Sequence, residues 1–150
     1  MAVKTRPEGY HAVTPYLMVP GVARLLDFLK QAFDAREMHV MKRPDGGVMH
    51  AEVRIGDSVV MMGEPMAPWP AMPGSLYLYV DDVDATYKRA LQAGGTSVME
   101  PADQFYGDRH GGVKDASGNI WWIATHIEDV PPAELARRAE AFMKKQQPQR

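Results

Sequence analysis

The stretch PYLMVPGVARLLDFLKQAF at residues 15–33 is echoed by YLYVDDVDATYKRALQAGG at residues 77–95. Val19 of the first copy corresponds to Val80 of the second, an offset of 61 residues. In each copy an apolar strand leads into a helix, and in the first helix the apolar residues recur at three- and four-residue steps. Two copies in a chain of 150 residues favour a fused duplicate over a longer array.

The segments that follow each helix repeat as well. Alternating apolar and polar residues predict three further strands in each half, at residues 36–41, 48–55, 58–64, 96–99, 108–115 and 120–126. The first strands of the two halves are predicted at residues 13–19 and 76–80. The order strand, helix and three strands, written twice, predicts an α+β fold.

We expect this duplicate to form a single domain over residues 10–130. Its predicted parts are half one at 10–64, a linker with four prolines at 65–74, and half two at 75–130. A lead-in at residues 1–9 and a C-terminal helix and tail at 131–150 flank the domain. The tail helix begins with acidic residues and ends with Lys144 and Lys145, which complements the helix dipole.

Composition limits the classes of function. The net charge of −2 argues against a nucleic-acid-binding surface, which usually needs a basic excess. The chain has no cysteine, so disulfides, thiolate nucleophiles and cysteine-based zinc sites are all excluded. The first ten residues show no signal peptide, and apolar runs are too short to span a membrane. We therefore expect a cytoplasmic protein with neither nucleic acid nor membrane as a partner.

The duplicated stretch, together with YGDRHGGVKDASGNIWWIATHIEDV at residues 106–130, resembles the vicinal oxygen chelate superfamily. These segments are similar to the sequences of its glyoxalase, bleomycin-resistance and dioxygenase members, and among these to the PhnB-like group. The resemblance implies two βαβββ repeats that form a curved mixed sheet around a cleft. It also implies a divalent metal ion in that cleft and a homodimer, in some relatives with exchanged halves.

The metal ligands of the superfamily fall on four positions of this sequence. These positions hold Thr14, Val60 or Met61, Ser75 and Trp122. A divalent ion prefers imidazole or carboxylate ligands, and none of these residues supplies one. We therefore expect no metal site and no cofactor, and a divalent metal held by other residues is the alternative.

Strand alternation predicts which side chains line the cleft. Four aromatic residues are expected there: Tyr16, Tyr77, Tyr79 and Trp122. Flat rings with a few polar groups are suited to a planar or aromatic ligand. The alternative is that these rings only fill the core between the two halves of the sheet.

The same alternation places polar groups beside these rings. His50 and Glu52 lie two apart on one strand face and are candidates for a catalytic base and its orienting carboxylate, although a solvated polar face is the alternative. Further candidates for ligand binding are Arg54, Glu64, Arg109 and His126. Arg109 suits an anionic group, or a pair with a neighbouring aspartate.

Three functions remain open on the sequence. The first is binding of a small planar or aromatic molecule without the superfamily metal. The second is a metal-dependent glyoxalase-like lyase or extradiol-dioxygenase-like oxidoreductase whose ligands come from His50, Glu52, Glu64 or His126. The third is a metal-free acid–base enzyme that uses His50. The sequence alone does not decide whether the protein is an enzyme.

Overall fold

The computed structural model of the chain describes residues 2–146. Met1 of the predicted lead-in and residues 147–150 of the predicted tail lie outside the described residues. Half one contains β1 (Tyr16–Met18), α1 (Val22–Phe33), β2 (Arg36–Lys42), β3 (Val48–Ile55) and β4 (Ser58–Gly63). Half two contains β5 (Ser75–Tyr79), α2 (Val83–Gln92), β6 (Thr96–Asp103), β7 (Asp108–Lys114) and β8 (Ile120–His126), and α3 (Pro132–Gln146) follows it.

Each half forms its own four-stranded mixed sheet, with the same topology. The orders are β1-β4-β3-β2 and β5-β8-β7-β6, and in both sheets the first strand is parallel to the last while the other pairs are antiparallel. The predicted α+β fold with two βαβββ repeats and a C-terminal helix is therefore confirmed.

The two helices join the halves through one apolar core. α1 packs against α2, and the buried face of α1 includes Leu25, Leu29 and Phe33. The ring of Phe33 lies 5.2 Å from that of Trp121 in β8, so a side chain of half one contacts the sheet of half two. Burial of these apolar side chains stabilises the contact between the halves by about 1.5–3 kcal/mol for each side chain.

The start of β8 is held by the turn that precedes it. The buried carboxylate of Asp115 accepts hydrogen bonds from the backbone N–H groups of Ser117 and Asn119, at 2.9 and 3.0 Å. Its second oxygen accepts from the Asn119 amide and the Trp121 indole, both at 2.9 Å. A single carboxylate thus closes the turn and orients the largest side chain of the core.

The strands differ from expectation at three points. β1 covers only Tyr16–Met18, because Pro15 has no N–H group to donate to a ladder and the preceding residues leave the sheet. β6 continues to Asp103 through a register shift where a loop was expected. With His50 and Glu52 expected on the cleft face of β3, alternation predicts that Met49 is buried, but a shift in the pairing with β2 buries Val48 instead and leaves Met49 exposed.

α3 extends beyond the duplicate and none of its residues is buried. Its ion pairs connect Arg138 to Glu128 and Glu134, at 2.8 and 3.0 Å. Within residues 2–146, no helix has the length and the apolar composition needed to cross a membrane.

Candidate functional site

The open face of the second sheet gathers its polar groups around one carboxylate. Asp108, which is 4% exposed, accepts hydrogen bonds at Oδ2 from the hydroxyls of Tyr77 and Tyr79, at 2.7 and 2.9 Å. Its Oδ1 lies 2.8 Å from Nδ1 of His126, and the other ring nitrogen of His126 lies 2.7 Å from Asp129. Tyr77 and Tyr79 come from β5, and their neighbours come from β7 and β8. We call this surface, formed by Tyr77, Tyr79, Asp108, His110, Trp122 and His126, the aromatic face.

The hydrogen bonds in this cluster stabilise one set of protonation states. Burial opposes ionisation of Asp108, but the bonds from His126, Tyr77 and Tyr79 outweigh it and hold its pKa below the ordinary value. Burial, followed by hydrogen bonding to Tyr106 and Asp108, raises the pKa of Tyr77. Hydrogen bonds to two carboxylates raise the pKa of His126. The cluster therefore pairs an aspartate anion with neutral tyrosines and favours a histidine cation.

His110 and Trp122 complete the aromatic face. The His110 ring lies 5.5 Å from the ring of Tyr77 and 5.8 Å from that of Trp122, and its Nδ1 lies 2.7 Å from the Tyr106 hydroxyl. Burial lowers the pKa of His110, which favours its neutral form. A Cβ atom at Gly112 would lie 2.7 Å from the Trp122 ring, so glycine is needed for the indole to lie across β7.

A second cluster lies on the open face of the first sheet. Nδ1 of His50 is 3.1 Å from the Tyr16 hydroxyl, and its Nε2 is 2.9 Å from Glu52. The other carboxylate oxygen of Glu52 accepts a hydrogen bond from Tyr10. Burial opposes ionisation of Glu52, but the bonds from Tyr10 and His50 outweigh it and lower its pKa. We call the connected residues Tyr16, His50, Glu52 and Tyr10 the His50 chain.

The N-terminal segment crosses the same face of the first sheet. Besides the bond from Tyr10 to Glu52, the Arg54 guanidinium donates to the carbonyl of Gly9 at 3.5 Å. A cavity of about 410 Å³ lies between residues 5–14 and Met61. The end of the predicted lead-in is thus attached to the sheet through Gly9, and Tyr10, the first residue of the predicted domain, joins the His50 chain.

The internal repeat duplicates one pair of rings. Tyr16 packs against His50 in the first sheet and Tyr77 packs against His110 in the second, and both pairs have ring centroids 5.5 Å apart. The tyrosines occupy the first strand of each half and the histidines occupy equivalent positions on β3 and β7. Each open face therefore presents a tyrosine–histidine pair at corresponding places of the duplicate.

A cavity of about 690 Å³ lies between the halves. Its walls combine the β3–β4 turn with the end of β5, and among them are Arg36, Arg54, Tyr77 and Tyr79. The structure thus brings three residues predicted to bind ligand, Arg54, Tyr77 and Tyr79, to one cavity. A space of this size is within the range of small-molecule sites.

Two predicted ligand-binding residues have other contacts. The carboxylate of Glu64 accepts hydrogen bonds from the backbone N–H groups of Gly21 and Val22, at 3.1 and 2.9 Å, and so caps the N-terminus of α1. Arg109 projects to the helix side of β7, where it pairs with Asp84 of α2 at 2.9 Å and with Asp103 at 3.1 Å. These bonds occupy both charged groups away from the aromatic face.

The four positions of the superfamily metal site do not fit a metal ion. The Trp122 indole donates to the Ser75 hydroxyl at 3.0 Å, and the Thr14 hydroxyl donates to the carbonyl of His11 at 3.2 Å. Met61 pairs with Tyr16 in the sheet, whereas Val60 is buried in the core. An indole N–H has no lone pair to offer, and no imidazole or carboxylate stands at these positions. Across residues 2–146, histidines, aspartates and glutamates form no group of three suited to a metal ion.

Several residues of these clusters were missed by the sequence argument. The sequence places Asp108 and His110 only beside the cleft, next to Arg109, and assigns no role there to Tyr10 or Tyr106. A usable signal existed for two of them, because residues 108 and 110 alternate with Gly112 on one strand and must share a face. Tyr10 and Tyr106 lie in loops, where periodicity carries no information.

Comparison with known proteins agrees with this architecture. The sequence matches the model of the Glyoxalase/Bleomycin resistance protein/Dioxygenase superfamily over residues 10–123. Because the match covers well over half of its length, the chain belongs to this superfamily.

Similar sequences and structures occur in several bacteria. The uncharacterized proteins Mb0911c of Mycobacterium bovis and Rv0887c of Mycobacterium tuberculosis are each 36% identical over 146 residues, covering 90% of this chain and 93% and 84% of their own. The crystal structure of TioX from Micromonospora sp. ML1 is similar with a TM-score of 0.65 and 24% identity, over 79% of this chain and 98% of TioX. A glyoxalase-related enzyme from Fulvimarina pelagi gives a TM-score of 0.62 and 17% identity, over 77% and 87%. At these identities the structural likeness shows a common fold.

Proposed function

We propose that the protein binds a small planar or aromatic molecule on its aromatic face, without the metal ion of its superfamily. One observation carries this proposal. Tyr77 and Tyr79 leave 43% and 60% of their surface exposed, while Asp108 fixes both of their hydroxyl groups. Exposed rings with a few well-placed polar groups are typical of small-molecule sites.

The fixed hydroxyls favour binding because they orient the rings before a ligand arrives. Immobilising a free side chain on association costs about 0.5–1.5 kcal/mol, and part of this cost is already met on folding for a tyrosine held by a buried carboxylate. Each stacked ring pair then adds about 0.5–1.5 kcal/mol beyond the apolar area that it buries. Tyr77 and Tyr79, whose rings are 5.4 Å apart, give the ligand two adjoining faces.

The proposed absence of the superfamily metal rests on the chemistry of the donors. Ser75 and Trp122 hydrogen bond to each other, and Thr14 bonds to its own loop. The proposed ligand is therefore held by stacking and hydrogen bonds, and no step of its binding requires a cation.

The His50 chain supports a second candidate, a metal-free acid–base enzyme. Glu52 orients the imidazole through its contact with Nε2, and the Tyr16 hydroxyl at Nδ1 is the group placed to exchange a proton with His50. Tyr16 is 48% exposed, so a substrate can reach it. Deuterium exchange from solvent into hydroxyacetone tests this function. Exchange must be faster with the wild type than with His50→Gln, and equal rates exclude the candidate.

A metal-dependent lyase or dioxygenase with non-standard ligands has less support. Glu64 is used in capping α1, while His126 is held by Asp108 and Asp129. Neither residue is joined to His50 and Glu52 in a metal-binding group within residues 2–146.

We also propose a PhnB-like relationship, a homodimer and a cytoplasmic location. The repeated sequence pattern supports the first, and the cysteine-free composition is consistent with a reducing compartment. Exposed apolar side chains of the linker, Met66, Trp69 and Met72, support a subunit contact. Sedimentation equilibrium of the wild type and of Trp69→Ser tests the dimer.

The binding proposal is tested with a matched pair of neutral probes, planar 2-naphthol and its saturated, non-planar form decahydro-2-naphthol. In calorimetric titrations we expect the wild type to bind 2-naphthol at least about fivefold more tightly than the saturated probe, because only the planar ring stacks on the tyrosines. Equal affinities, or no binding of either probe, refute the proposal.

Variants of one residue then locate the site. Tyr79→Phe keeps the ring and removes the hydroxyl, whereas Tyr79→Leu keeps an apolar side chain and removes the ring. We expect a small loss of 2-naphthol affinity for Tyr79→Phe and a loss of about three- to tenfold for Tyr79→Leu. If Tyr79→Leu binds as the wild type does, the aromatic face is not the site.

A further inference from the structure

The helix α3 lies beyond the superfamily match, which ends at residue 123, and it is not held by the apolar core. It contacts Phe105 in the β6–β7 loop. The ring of Phe142 lies 5.0 Å from that of Phe105, and Arg138 donates to the Phe105 carbonyl at 3.2 Å. The helix thus holds both the side chain and the backbone of one loop residue.

The loop continues this contact to the aromatic face. Phe105 packs edge-to-face on Tyr106 with ring centroids 5.2 Å apart. Tyr106 stacks on His110 at 6.0 Å, and its hydroxyl lies 2.7 Å from Nδ1 of that ring. His110 in turn packs against Tyr77. A continuous series of ring contacts, through Phe142, Phe105, Tyr106 and His110, therefore links α3 to the surface proposed to bind ligand.

The backbone of the β6–β7 loop is itself restricted at Gly107. Gly107 has a φ of +100°, and a Cβ atom there would lie 2.2 Å from the carbonyl oxygen of Glu128. The backbone N–H groups of Ile127 and Glu128 donate to the Gly107 carbonyl at 2.8 and 3.0 Å. The same Glu128 forms a two-bond ion pair with Arg138 of α3. Gly107 of the loop and Arg138 of α3 therefore both bind to the segment at Ile127 and Glu128.

We infer that α3 is a positioning element for the aromatic face, and that Phe142 and Tyr106 are its positioning residues. Through Phe105 the helix places the Tyr106 hydroxyl at Nδ1 of His110. With Tyr106 as the donor, the ring proton of neutral His110 lies on Nε2, and the imidazole plane is fixed beside Tyr77. The contribution to ligand binding rests on the function proposed above, whereas the control of His110 does not.

Two measurements on the full-length chain test the inference. The ring ¹⁵N signals of His110 report the tautomer and the bond at Nδ1, and calorimetry reports the affinity for 2-naphthol. Phe142→Ala is compared with Met143→Ala, its neighbour on α3, which is 59% exposed and has no ring to stack. Tyr106→Phe keeps the stacked ring, removes the bond to Nδ1, and so calibrates the ¹⁵N signal for a released His110.

We expect Phe142→Ala to move the His110 ¹⁵N signals toward those of Tyr106→Phe and to weaken 2-naphthol binding about three- to tenfold. Met143→Ala should change neither quantity. The inference is overturned if Phe142→Ala leaves the His110 signals and the affinity as in the wild type. If the wild type binds neither 2-naphthol nor its saturated form, the proposed function is refuted, and the ¹⁵N signals still decide whether α3 positions His110.

Discussion

Replacing Asp108 by asparagine tests the central contact of the aromatic face. The carboxylate uses both oxygens, one for the hydroxyls of Tyr77 and Tyr79 and the other for His126. Asparagine keeps the shape but has one oxygen and one N–H₂ group, so one of the two sets of partners loses its acceptor. The anion that stabilises the tyrosine hydroxyls is lost as well.

The expected destabilisation follows from these bonds. A hydrogen bond to a charged group contributes about 1.5–3 kcal/mol to stability, compared with about 1 kcal/mol for a neutral pair. Each tyrosine bond to the buried carboxylate therefore loses about 0.5–2 kcal/mol when the charge is removed, and the two together lose about 1–4 kcal/mol. In a domain of this size that change corresponds to a fall in Tm of about 2–16 °C.

Urea unfolding at pH 7, followed by tryptophan fluorescence, measures this change. Asp103→Asn is the matched control, because its carboxylate is 68% exposed on the neighbouring strand and its removal should have little effect. Double-mutant cycles with Tyr77→Phe and Tyr79→Phe assign the loss to the two bonds. A destabilisation of Asp108→Asn below about 0.5 kcal/mol, the size of an ordinary surface substitution, would refute the reasoning.

Three further predictions concern single positions. Gly107→Ala should destabilise the fold by at least about 2 kcal/mol in the same urea assay, because the new Cβ atom clashes with a carbonyl oxygen at a residue whose φ is +100°. The control Gly118→Ala should lose only about 1 kcal/mol, because its φ is similar, at +97°, but no atom lies nearer than 3.5 Å to the new Cβ atom. Equal losses for the two variants would contradict the steric argument. Glu64→Ala should lower stability by about 1–2 kcal/mol, because the N–H groups at the N-terminus of α1 lose their acceptor, and it should leave the 2-naphthol affinity unchanged. A loss of affinity at unchanged stability would instead indicate that Glu64 contacts the ligand. The stabilisation from His126, whose folded pKa is raised, should be fully present below about pH 6.5, its unfolded pKa, and should be lost as the pH rises through the folded value. The difference in urea midpoint between the wild type and His126→Gln, measured from pH 5.5 to 8.5, should therefore shrink with pH, and a constant difference speaks against the prediction.

Much of the fold could be predicted because its signals are local. The apolar residues of α1 recur at helical spacing, and the helix runs from Val22 to Phe33 as that spacing indicates. The predicted N-cap of α2, Asp82, accepts a hydrogen bond from the Ala85 N–H at 3.1 Å. These features depend on residues within one or two turns of each other, so the sequence contains them directly.

The sequence could not predict in the same way which residues of β4 face the core. Residues 59–62 are all apolar, and alternation then offers two equivalent registers. With Glu64 expected at the cleft, strand alternation also predicts Val60 and Met62 there, but pairing with β3 aligns these two residues with Val53 and Ala51 on the buried face. Only the hydrogen-bonded partner strand distinguishes the two registers.

Taken alone, the sequence determined the duplication, the α+β order of elements and the residue types at the four superfamily positions, because periodicity, turns and spacing are written along the chain. The tertiary structure decided which of the candidate side chains meet. It joined Tyr77, Tyr79 and His126 through Asp108, used Glu64 to cap a helix, and turned Arg109 toward α2. Such contacts connect residues from 18 to 43 positions apart, and they depend on strand register and helix placement, which no local pattern contains.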